Sequence, residues 1–134
     1  MRHNYKNLKI WKIGIAIANE ISDVLIEFPK HERYDLSSQI SRCSVSMPSN
    51  IAEGSSRTDK SFSHFLDISL GSSFELITQL LIATHRKYIN EKQFNQLEIK
   101  IEEFQRMDNG FSKRIKVSPI KIYFLYSIFF SLKK

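Results

Sequence analysis

The side chains best equipped for chemistry in this 134-residue chain are four histidines, one cysteine and two carboxylates beside apolar seams. The histidines, His3, His31, His64 and His85, lie far apart, and none stands with a Glu or Cys at metal-ligand spacing. No nucleophile elbow, phosphate loop or dinucleotide fingerprint occurs. Gly71-Ser72-Ser73 falls inside a helical pattern and cannot wrap a phosphate. The inward Glu and Glu-x-x-His pairs of di-metal bundles are missing. Glu53 and Glu75 could divide acid and base work. However, Glu53 stands one helical turn before Arg57, a favourable ion-pair spacing, and Glu75 is expected to pair across helices, with Arg42 as the candidate. Cys43 lies on an apolar stripe and reads as core. The expectation is no catalytic residue, no metal and no cofactor.

What remains is positive charge. The net charge is +6, and its distribution is uneven. Residues 1–34 carry six Lys/Arg against four Asp/Glu, residues 35–114 carry ten of each, and residues 115–134 carry four Lys and no acid. Arg2, Lys6, Lys9 and Lys12 lie in an acid-free N-terminal stretch, a candidate phosphate-facing patch. A pI near 9.5 argues only weakly for a polyanion when the middle of the chain is neutral. A single cysteine excludes an internal disulfide framework and fits a cytoplasmic setting. The N-terminus does not read as a signal peptide. The uncharged run Ile122–Leu132 has 11 residues, and a spanning helix needs about 20, so no transmembrane segment is expected.

Apolar residues recur at three-four spacing over four stretches, predicting helices at about 8–28, 35–53, 59–87 and 91–110. Asp35 is the expected N-cap of the second. Pro48 falls inside that helix and predicts a bend. Gly54 is expected to stop it in a left-handed conformation. Gly71 is expected to thin the third helix for close approach, so that Gly71→Leu would disrupt packing. Asn90 and Gln93 form a capping-box pattern. Asp108 occupies an apolar slot, so the fourth helix should end near Met107–Gly110, or Asp108 should find Arg106 or Lys113. Short connections imply an all-α, antiparallel, up-down-up-down four-helix bundle over 1–115. Residues 116–134 form an aromatic and basic tail.

The segments SSQISRCSVSMPSNIAEGSSRTDKSF and FLDISLGSSFELITQLLIA closely resemble the four-helix-bundle family first noticed as reading frames in intervening sequences of bacterial 23S rRNA genes. NLKIWK (Asn7–Lys12) and FPKHERYDLSSQ (Phe28–Gln39) extend the likeness, which ends near Met107–Val117. Arg42, Ser46, Pro48, Asn50, Ala52, Glu53, Gly54, Arg57 and Lys60 match its central motif. The resemblance implies a homopentamer around a central channel, and kinship with the nucleic-acid-binding accessory variability protein of diversity-generating retroelements. A five-fold assembly would repeat Arg57 and Lys60 as a basic ring, so the resemblance adds Arg42, Arg57 and Lys60 to the candidate nucleic-acid contacts. Ser41 departs from the pattern, since many relatives carry a second Arg there. The expected role is a non-enzymatic, homo-oligomeric RNA- or DNA-binding accessory protein. The alternative is a protein–protein scaffold with no nucleic-acid role.

Overall fold

A computed structural model of the chain describes residues 3–116, 127–129 and 131–132. Arg2 and most of the tail lie outside the described residues. Four long helices form: α1 (Lys9–Leu25), α2 (Leu36–Ser55), α3 (Asp59–His85) and α4 (Glu91–Lys116). Among the described residues there is no strand. The predicted seams become the core. Ile17, Ile21, Ile40, Met47, Ile51, Phe62, Leu66, Leu76, Leu80, Leu97, Ile101 and Phe104 are almost wholly buried. Each such side chain contributes about 1.5–3 kcal/mol of burial free energy.

Side chains near the middles of the helices hold them together. Gly14 of α1 meets Pro48 of α2 and Phe104 of α4. Ser46 and Ser72 share a 2.9 Å hydroxyl bond between α2 and α3. Gln105 Nε2 donates to Ser73 Oγ at 3.0 Å between α4 and α3. Ser69 Oγ donates to Met47 O at 2.8 Å. These hydroxyls satisfy each other or a neighbouring carbonyl, so they let α2 and α3 approach closely without being left unpaired themselves.

The capping chemistry matches expectation in part. Asn90 and Gln93 exchange side-chain bonds with each other's backbone N–H at 2.8 and 3.0 Å. Thr58 Oγ1 accepts from Ser61 N and starts α3. Asp35 makes no cap bond. Instead Glu32, reaching from the α1–α2 connection, accepts from Leu36 N at 3.2 Å. Gly54 is not left-handed either, since no described glycine has positive φ, and α2 runs one residue past it. The left-handed position falls at Lys87, φ 67°, after α3.

Two further expectations are overturned. Gly71 faces outward, and a Cβ there would meet nothing within 4 Å. The close-approach glycines are Gly14 and Gly54. Helix α4 also continues through Asp108 to Lys116. Asp108 is 1% exposed, and neither carboxyl oxygen has a partner among the described residues. Arg106 and Lys113 are exposed and do not reach it. Burial, with a smaller push from the Asp67 charge, drives its pKa up to about 7. A neutral carboxyl is much cheaper to bury than a carboxylate, so protonation spares the helix a break.

Helix α3 is long and apolar enough to cross a bilayer by length and composition alone, although its inner face is bundle core. Its outer face carries Phe74, Leu81 and Ile82, all exposed.

Candidate nucleic-acid interface

The N-terminal segment is pinned across the ends of three helices. His3 N donates to Ser55 O at 3.3 Å, at the end of α2. The His3 ring sits edge-on to Phe62 of α3 and Phe111 of α4, at 5.5 and 5.4 Å between centroids. Phe62 and Phe111 are themselves 5.2 Å apart. Asn4 then caps a 3-10 turn at Tyr5–Asn7 that leads into α1. The same end of the molecule therefore holds the start of α1, the α2–α3 turn and the last turns of α4.

Cations from all of these segments converge there. Lys6 and Lys9 come from the N-terminal segment, Arg57 and Lys60 from the α2–α3 turn, and Lys113, Arg114 and Lys116 from α4; all are exposed. Lys9 and Arg114 line one cavity of about 370 Å³, with Ile10, Met107 and Phe111 beneath. The Arg114 guanidinium lies 5.5 Å over the Phe111 ring, and that of Arg57 lies 5.6 Å over Phe65. Arg57 also pairs with Glu53 at 3.4 Å, as expected from their spacing. Both partners are half exposed, so this pair adds little stability and leaves Arg57 available. Lys12 lies one turn beyond Lys9 and is also exposed.

Sequence reasoning missed Lys113, Arg114 and Lys116, because it ended the fourth helix near Gly110. The signal was present, since Phe111 and Ile115 continue the three-four seam. Arg42, in contrast, does not join this cluster. It lies two turns into α2, beside the α1–α2 connection, with Lys30 and Arg33. The seven sequence candidates are thus not one site.

The remaining polar groups read as structural. Glu32 is buried and accepts from Leu36 N, Arg86 Nη1 at 3.2 Å and Tyr88 OH at 3.0 Å. Burial raises its pKa, but these donors and the nearby charges of Arg86 and His31 outweigh burial and hold it below the usual value. The cluster ties the α1–α2 connection to the α3–α4 connection. Asn50 donates to Ser46 O and Oγ, both on its own helix. Glu75 accepts from Gln79 Nε2 at 3.2 Å on α3, and forms no ion pair with Arg42. Burial first, then the neighbouring Glu75, pushes the Cys43 thiol up to about 11, the opposite of an activated nucleophile. Among the described residues no group of three or more His, Cys, Asp or Glu is placed to hold a metal ion.

A family model described as 23S rRNA-intervening sequence protein matches residues 6–110. The chain is similar in structure to a solved protein of unknown function from the S23 ribosomal protein family of Bacteroides thetaiotaomicron VPI-5482. The TM-score is 0.72 and the identity 20%, over 78% of this chain and 95% of that one. That likeness shows a shared fold. No curated protein matches.

Proposed function

The chain belongs to the 23S rRNA-intervening sequence protein family, and from that premise we propose that it is a non-enzymatic, nucleic-acid-binding accessory protein of the cytoplasm. The observation that carries this reading is the convergence of Lys6, Lys9, Arg57, Lys60, Arg114 and their neighbours at one end of the bundle. Cations concentrated on one end attract a phosphate backbone far more than the same charges scattered over the surface. Phe62 is buried, and Phe65 and Phe111 are covered by Arg57 and Arg114, which favours backbone contact over base reading.

Lys113→Glu/Arg114→Glu tests the site. Both residues are exposed, so the variant should fold normally. It should weaken single-stranded RNA binding and flatten the dependence of log K on log salt by about 1–2 units. Unchanged affinity in a folded variant would move the weight to a protein scaffold with no nucleic-acid role.

Self-assembly belongs to the same proposal. The short connections between successive helices, such as the one from Ser55 to Asp59, support an antiparallel, up-down-up-down bundle, and a homopentamer is the assembly that family membership suggests. Gly71, Phe74, Thr78, Leu81 and Ile82 share one outward arc of α3 at 3.6 residues per turn. An exposed helical glycine costs about 0.5–1 kcal/mol relative to alanine, and here the space it leaves inside the chain is empty. A second copy approaching along this arc would use that space. Gly71→Leu should therefore leave the thermal midpoint of the chain itself unchanged or slightly raised, while lowering the assembled mass in native mass spectrometry. An assembly that tolerates leucine there would exclude this face as the contact.

A further inference from the structure

We infer that the cleft between the end of α1 and the first turns of α2 is a separate binding site for a nucleotide, with the phosphate held by Arg33 and Arg42 and the base stacked on Tyr34. The cleft has a volume of about 580 Å³, within the roughly 300–1,000 Å³ range of small-molecule sites. Its floor is apolar, from Leu25 and Phe28. Its rim carries Lys30, Arg33 and Arg42, and no acidic residue lines it. None of these three cations has an ion-pair partner among the described residues. Arg42 also borders a smaller cavity with Glu75, without forming an ion pair there, and the three cations together give the cleft a positive potential.

The other lining groups fit the same ligand. Ser37, Ser38 and Ser41 face the cleft, and their hydroxyls make no hydrogen bond among the described residues. They are free to bond phosphate or ribose oxygens. Tyr34 is 88% exposed, an unusual position for a large aromatic that serves no packing role. The Arg33 guanidinium lies over its ring at 5.6 Å, which holds the ring beside the cations and leaves its other face for a base. Arginine forks match phosphate geometry in a way that lysine does not. The site lies beside the Glu32–Arg86–Tyr88 cluster, far from the His3–Phe62–Phe111 end, so it does not depend on the reading given to that end.

The nucleotide could be free or part of an RNA chain. Calorimetric titration of the full chain with adenosine 5′-monophosphate, ribose 5-phosphate and a 5′-phosphorylated oligoribonucleotide separates these sources. Binding of the mononucleotide supports a free ligand. Binding of the oligonucleotide alone supports a nucleotide within RNA when it falls in Arg42→Gln by more than it does in Lys113→Glu/Arg114→Glu, and overturns the proposal when Arg42→Gln leaves it unchanged. Arg42→Gln should weaken binding of whichever probe binds by about tenfold or more. Tyr34→Ser should weaken the mononucleotide or oligonucleotide and leave ribose 5-phosphate unchanged. Lys113→Glu/Arg114→Glu should leave the mononucleotide unaffected, which keeps this test distinct from that of the basic end. The proposal is overturned if neither nucleotide probe binds at about 1 mM. It is also overturned if ribose 5-phosphate binds as well as the mononucleotide, or if folded Arg33→Gln and Arg42→Gln variants both bind like the parent.

Discussion

Gly54→Val is expected to destabilise the protein by about 3 kcal/mol or more, with Gly54→Ala costing about 1–2 kcal/mol. A Cβ at this position would stand 2.7 Å from Phe62 Cδ1 and 2.8 Å from Phe65 Cβ. The first contact is with a ring that is wholly buried and has nowhere to turn. The second is with an atom fixed directly to the α3 backbone, so relief requires α2 and α3 to separate. The gain in helix propensity from losing a glycine, up to about 1 kcal/mol, is too small to offset this. Urea unfolding of the two variants should show a graded fall in midpoint. If Gly54→Ala proved as stable as the parent, the close crossing of α2 and α3 would be wrong. The strain should also reach the basic end, because Phe62 contacts His3 and Phe111.

Asp108→Asn should stabilise the protein in alkaline solution and do almost nothing in acid. The Asp108 carboxyl titrates at about 7 in the folded chain and near the ordinary aspartate value of 3.8 when unfolded. Between those values the folded state binds a proton that the unfolded state has lost. Stability from this group is therefore fully present below about pH 4, falls as pH rises, and is lost above the folded pKa. Each pH unit within that window is worth about 1.4 kcal/mol, so the parent should lose on the order of 2–3 kcal/mol between pH 5 and pH 8.5 through this residue. The asparagine variant should lack that loss. Urea midpoints of parent and variant at the two pH values measure it, and a parallel pH dependence in both would mean that Asp108 is not buried as described.

Much of the fold was legible because it rests on periodicity. The three-four seams of helices 1 to 4 supplied the buried core almost residue for residue, and the Asn90–Gln93 box and Thr58 cap follow from local backbone chemistry. The errors came where a residue's role depends on something far away in sequence. Gly54 and Gly71 look alike in a string, and only the position of α3 shows that one is crowded and the other open. Asp108 looked like a helix breaker because its cost as an anion was weighed, whereas burial favours the neutral acid. Asp35 lost its capping role to Glu32, which is close only because the connection folds back. The candidate site was legible in part. Lys6 and Lys9 were found from charge and Arg57 and Lys60 from the family resemblance, but their meeting with Arg114 needed α4 to continue past Asp108. Tyr34, Lys30 and Arg33 went unnoticed because no pattern in the chain marks a cleft.

The most direct test of nucleic-acid binding at the basic end is a titration of the purified, nuclease-treated chain with labelled single-stranded RNA at rising salt. Binding is expected at low salt, with log K falling linearly against log salt and a slope corresponding to several phosphates per chain at about 0.7 each. No binding at about 50 mM salt, or an affinity indifferent to salt, would contradict it.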